Sequence, residues 1–226
     1  LVAVKDADST IIWSWHLWFT GTPEEQVFLT SKGETTIILD RNIGALRNAV
    51  YDENDNVKTV GAFYQWGRKD AFLPSFFTQK KDMTDVSATL AIPSVMLVNN
   101  YVFGQDFIKD WMQPKNEQLW HPDIKTIYDP CPVGYKVPDK DALDLLPSRW
   151  QQCENGFKAL SSDGNNIYLP STGFYTGSTN FRKALTANSF LWSSEFSRSF
   201  YISDTSKFTR TSYKSVVAMP VRCMKD

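Results

Sequence analysis

The sequence predicts an α+β fold of short antiparallel strands, two short helices and long loops. Apolar residues alternate with a period of two in short runs, most clearly over 11–19 and again after Asn155, which is the pattern of half-buried strands. Helical spacing is confined to brief stretches before that point. Proline and glycine punctuate the chain, with four Pro and one Gly in the nineteen residues from Trp120 to Pro138. Each Pro fixes its own φ and drives its predecessor out of the helical region, so this middle segment is stiff and extended. Irregular loops and small helices followed by a run of antiparallel strands define the α+β class.

The first element is a strand pair over 1–20. Val2 and Val4 lead into the polar turn Lys5-Asp6-Ala7-Asp8-Ser9, and Ile11, Trp13, Trp15, Leu17 and Phe19 then alternate with Ile12, Ser14, His16 and Trp18. One face is wholly apolar and the other mixed; His16 on the mixed face reads as a hydrogen-bonded sheet residue rather than a catalyst. A further strand is expected at Thr35 to Asp40, turned sharply by Asn42, Ile43 and Gly44.

Asp52-Glu53-Asn54-Asp55-Asn56 resembles the start of a calcium loop, but Val57 stands at the turn-glycine position and Phe63 at the bidentate-glutamate position, so a solvated turn is expected. In Gly61 to Asp70, three aromatics adjoin a glycine and two cations. Either Tyr64, Trp66 and Arg68 form an aromatic platform with hydrogen-bonding neighbours, or this is a buried strand whose Arg68 pairs with Asp70 or a backbone carbonyl. Residues 74–100 have no sustained period and read as loops with short elements. A short helix is expected over 103–111.

After the proline-rich segment, Asp139 is a candidate N-cap for a helix over 140–146 with Leu143 and Leu146 facing inward, ended by Pro147. Ser148 to Gln151 has capping-box spacing, which predicts a second helical turn carrying Trp150 and Cys153. From Asn155 the strands follow one another: 157–160, 167–169, 174–175, 190–194, 199–203 and finally 216–224 as one strand closing a meander.

The chain has 226 residues and a net charge of −1, which with scattered rather than clustered cations in the C-terminal part excludes general nucleic-acid binding. No apolar run is long enough for a membrane span. The chain opens at Leu1 without Met, and we expect a mature protein or a piece of a longer one, with any signal, anchor or further domain upstream. Thirty-two aromatic residues, eight of them Trp, suit either a large core or a sugar-contacting surface. Three cysteines without metal spacing are most simply one disulfide and one thiol.

Five blocks, in order, resemble the Fibrobacter major paralogous domain, which also forms the C-terminal part of fimbrillin-like surface lipoproteins of gut Bacteroidetes. They are Leu39-Asp40-Arg41-Asn42-Ile43-Gly44-Ala45, Tyr64-Gln65-Trp66-Gly67-Arg68-Lys69-Asp70, Asp129-Pro130-Cys131-Pro132-Val133-Gly134-Tyr135-Lys136-Val137-Pro138, Leu191-Trp192-Ser193-Ser194 and Val221-Arg222-Cys223-Met224-Lys225-Asp226. The resemblance covers nearly the whole chain. It implies a single C-type-lectin-like domain over 1–226, an exported outer-membrane or pilus address, and an adhesive role. It also implies that the chain ends meet in one sheet, with Tyr135 to Pro138 as a core strand followed by a helix and Val221 to Met224 as the closing strand. Cys131 and Cys223 lie inside these blocks, so a bond between them is expected; two separate buried thiols are the alternative.

The sequence departs from the pattern of sugar-binding C-type lectins where calcium would bind. Gln113-Pro114-Lys115 places a cation where an anionic ligand is needed, and Trp192-Ser193-Ser194 supplies no carboxylate or amide, so no metal or other cofactor is expected. No nucleophile, phosphate-loop, dinucleotide or zinc motif is present, so an enzyme is not expected. The expected function is a cell-surface binding or adhesion module contacting a glycan or a host or bacterial surface protein. Tyr64, Trp66, Arg68 and Trp192 are its candidate ligand contacts. The alternative is a structural fimbrial subunit whose partners are other pilins, joined through an edge such as Leu1 to Val4.

Overall fold

The computed structural model describes residues 1–29, 33–48, 56–72, 78–80, 86–97, 110–162, 164–175, 182–183, 188–210 and 215–226. The turn expected at 52–56 and the helix expected at 103–111 lie outside these residues except at their last positions. Short strands in small, mainly antiparallel sheets make up most of the regular structure; one pair, Thr78–Lys80 with Val95–Leu97, is parallel. Among the described residues there are three helices, Asn56–Val60, Val86–Leu90 and Lys140–Asp144, each of five residues. None is long and apolar enough to cross a membrane.

The sheet that organises the molecule has the order Glu25–Leu29, Thr35–Leu39, Met224–Lys225, Tyr135–Lys136. Met224 stands opposite both Ile38 and Lys136, and Lys225 opposite Tyr135, so the tail lies between an early strand and the proline-rich segment. Leu39 N–H donates to the Cys223 carbonyl at 2.9 Å, Ile43 N–H to the Val221 carbonyl at 2.9 Å, and Asp226 N–H to the Gly134 carbonyl at 3.0 Å. At the rim, the Tyr135 hydroxyl and the Lys225 ammonium both donate to the Glu25 carboxylate. The side-by-side placement of mid-chain and tail that the motifs imply is therefore present. A disulfide joins Cys131 to Cys223 beside this pairing, across 92 positions of sequence.

Two expected elements differ. The stretch 216–224 is not one strand. Ala218–Pro220 pairs with Phe63–Gln65 in one sheet, and Met224–Lys225 belongs to the other. Pro220 has no N–H to donate, so the first ladder stops there and the chain crosses between sheets. The helical turn expected after Ser148 is instead the strand Gln151–Cys153, paired with Gly156–Leu160. Pro147 ends the preceding helix, the Trp150 indole N–H donates to the Pro147 carbonyl at 2.7 Å, and Trp150 N–H is taken by the Thr205 carbonyl at 2.9 Å. Long-range pairing thus overrides a local capping pattern.

The helix Lys140–Asp144 forms where its cap predicts. Asp139 Oδ1 accepts from Ala142 N at 2.7 Å, and Leu143 and Leu146 are buried. They join Phe28, Trp150 and Phe200 in one apolar cluster. A second, larger cluster holds Trp66, Trp111, Trp120, Trp192 and both bonded cysteines.

Candidate functional site

The four expected ligand contacts come together, but inside the molecule. Tyr64, Trp66, Arg68 and Trp192 expose 2% of their surface or less, which leaves no face for a ligand to stack on. Of the two readings of this stretch, the buried strand is the one found, and the aromatic platform is corrected. Phe63–Gln65 pairs with Ala218–Pro220, which sets Tyr64 opposite Met219 in the sheet interior.

The indole and guanidinium groups of these residues bond mainly to backbone carbonyls. The Trp192 indole N–H donates to the Tyr64 carbonyl at 2.8 Å, and the Trp66 indole N–H donates to the Ser193 carbonyl at 3.1 Å, a reciprocal clasp between blocks far apart in sequence. The Trp111 indole N–H donates to the Trp66 carbonyl at 2.8 Å. Gln65 bridges three segments: its amide nitrogen donates to the carbonyls of Leu97 and Val216, and its oxygen accepts from Leu97 N and from Arg68. Gly67 turns the chain at φ +84° against Leu119, a backbone angle and a closeness that suit only glycine.

Arg68 donates to the Val95 carbonyl at 2.6 Å and the Ile92 carbonyl at 3.2 Å, beneath the rings of Phe72 and Trp111. Burial pushes its guanidinium down to about 10, against the pull of Asp70. Burial likewise holds the Tyr64 phenol well above its ordinary value, with Asp70 and Asp129 adding to the effect. Both groups are sealed in the interior, where Arg68 ties backbone carbonyls of the neighbouring segment and neither side chain is open to a ligand.

A second polar cluster fastens the N-terminal hairpin. Lys69 Nζ donates to the Ser14 carbonyl and hydroxyl, each at 2.9 Å, and to Asp70 Oδ1 at 2.6 Å; the Ser14 hydroxyl donates to the same carboxylate oxygen at 2.9 Å. His16 Nε2 accepts from Ala71 N at 3.3 Å and stands 3.8 Å from Asp70 Oδ1. Burial lowers the His16 pKa, opposed by Asp70, so the ring is neutral and acts as an acceptor. Ser14 has its hydroxyl on Asp70, not on His16, so no nucleophile and base are paired here.

At the disulfide, Asp129 gathers the proline-rich loop. One carboxylate oxygen accepts from Cys131 N at 2.8 Å and Lys125 Nζ at 2.9 Å, the other from Val137 N at 2.8 Å. Burial raises its pKa, with Lys125 and the two amides opposing. Cys153 is the free thiol, half-buried and raised in pKa by desolvation, hence unreactive in character. Among the described residues no group of three or more His, Cys, Asp or Glu could hold a metal ion.

Sequence reasoning missed the tie from Glu195 to the helix start, where both its carboxylate oxygens accept from Lys140 N at 3.0 to 3.1 Å. It also left open which face of the N-terminal hairpin turns outward. The polar members of the 11–19 alternation were the available signal. Together these features define a mostly β structure in which most residues of the sequence blocks are buried and whose tail is bonded to its middle. No family model matches the chain, and no curated protein or solved structure matches it.

Proposed function

We propose that this chain is an exported surface-binding module of C-type-lectin-like architecture, with an adhesive role toward a glycan or a surface protein. The observation that carries the reading is the Cys131–Cys223 disulfide beside the paired tail and proline-rich segment. Stable structural disulfides belong to oxidising, extracytoplasmic compartments. A core strand followed by a short helix and met by the closing strand supports the lectin-type architecture that the five sequence blocks imply.

Because Tyr64, Trp66, Arg68 and Trp192 are interior, the ligand contacts of such a module lie on exposed loops rather than on these residues. Screening the purified chain on a glycan array and against surface-protein fractions, with and without a chelator, tests the proposal. Saturable binding that survives chelation is expected. Binding to neither class would contradict it, and binding abolished by chelation would contradict the absence of a calcium role.

The structural-subunit reading retains one supporting observation. Among the described residues Val2–Lys5 has a strand partner on one side only, which supports a pairing edge there. Ordered polymerisation of the chain without binding to glycans or surface proteins would favour that reading.

A further inference from the structure

The N-terminal hairpin is turned the opposite way from what its hydrophobic pattern favours. Val2–Lys5 and Ile11–Trp15 pair antiparallel, with Val2 opposite Trp15 and Val4 opposite Trp13, so these four share a face. The other face carries Ser14, which is 2% exposed and lies against Lys69 and Asp70. His16 and Trp18 continue that inward side, the former on Ala71 N and the latter donating its indole N–H to the Ala45 carbonyl at 2.9 Å.

From Ser14 onward the mixed face is turned inward, although Ile12 on it is 51% exposed, and the apolar face is left outside apart from Trp13, which is half-buried with the Lys69 ammonium 4.6 Å over its ring. Val2, Val4, Trp15 and Leu17 are about half exposed, and Phe19 is 80% exposed. Since a one-residue slip exchanges the two faces of a strand, the ion and hydrogen-bond cluster around Ser14 is what fixes this orientation.

We propose that this outward face is a self-association surface on which a second copy of the same chain docks, hairpin against hairpin, about a two-fold axis. A two-fold interface presents the same patch from both sides, so a charge near the axis meets its like. Val2, Val4, Trp15, Leu17 and Phe19 carry none, and the hairpin's charged residues, Lys5, Asp6 and Asp8, are gathered at the turn. The five exposed side chains are all neutral, so the patch can face a copy of itself.

Its size suits the same occupant. The five residues expose on the order of 600 Å², so two copies covering each other bury about 1,200 Å², the lower end for specific, stable interfaces. Stacked apolar sheet faces pack about 10 Å apart, which lets the Trp15 and Phe19 rings interleave. The inference is independent of what ligand the module binds, because it rests on the hairpin alone.

Sedimentation velocity and light scattering on the full chain from micromolar to millimolar concentration test it, beside the double variant Leu17→Glu/Phe19→Asp and the control Val133→Asp, which changes an exposed apolar residue of the proline-rich loop. The expected result is a concentration-dependent doubling of mass in the parent chain and in the control, and its loss in the double variant. Near-ultraviolet circular dichroism should be the same for all three chains when measured at the lowest concentration. For a variant that fails to fold, Phe19→Ser alone is expected to shift the dimerisation midpoint upward by at least tenfold. A parent chain that stays monomeric throughout, or a dimer that the double variant and Phe19→Ser leave unmoved, would overturn the proposal.

Discussion

Arg68 carries a charge through an interior of aromatic rings and discharges it onto backbone carbonyls rather than onto a carboxylate. Replacing it with Met should leave the Val95 and Ile92 carbonyls without their donor, at a cost of about 3 kcal/mol. The measurement is a urea midpoint at unchanged slope. Trp192→Phe, which removes the donor to the Tyr64 carbonyl, should cost about 1 to 3 kcal/mol by the same reasoning. In both variants the molecules that remain folded should bind any ligand as the parent does, since neither side chain reaches the surface. A folded variant with lost binding and parent stability would restore the platform reading. The residues of this hub were legible as a group from the sequence, but composition alone could not tell a platform from a core. The deciding partners of Gln65 and Arg68 are carbonyls at Ile92, Val95, Leu97 and Val216, far along the chain.

His16 offers a test by pH at the same scale. Its folded pKa lies below 6.5, chiefly because burial disfavours the charged ring. Between that folded value and 6.5 the unfolded chain binds more protons than the folded one, so stability falls as pH drops through this window and is fully restored above it. His16→Gln should flatten that slope. An unchanged slope would remove His16 as its source.

At the scale of elements, local signals were legible and long-range choices were not. Asp139 and the helix it caps could be read directly, because capping is decided within three residues. Asp139→Ala should therefore destabilise the protein by about 1 kcal/mol, seen as a lowered melting midpoint with unchanged far-ultraviolet shape. Ser148 to Gln151 has an equally good local pattern but leads into the strand Gln151–Cys153, because Ser148, Arg149 and Trp150 are taken up by the distant segment 205–207. The strands of the N-terminal hairpin were likewise readable from alternation, whereas their orientation was not, since Ser14 is held by Asp70, fifty-six positions away. The break of 216–224 at Pro220 was visible as a residue but not as a change of sheet.

For the molecule as a whole, the proline-rich segment is not extended throughout: it turns repeatedly over 121–134 and ends in the two-residue strand Tyr135–Lys136, the tail pairs with that strand, and the disulfide fixes the two together. The pairing and the bond were implied by the motif blocks, since Cys131 and Cys223 each sit in one. Closing a loop of 92 positions restricts the unfolded chain and should contribute about 4 to 5 kcal/mol on the chain-entropy model. The double replacement Cys131→Ser/Cys223→Ser should lose a stability of that order in denaturant titration, the more so because both positions are packed in the larger core. The surface address and the architecture proposed here both lean on this bond. The most direct measurement is the intact mass of the purified chain after alkylation in denaturant, before and after reduction. One alkylated thiol before reduction, at Cys153, and three after it are expected. Three alkylated thiols without reductant would contradict it.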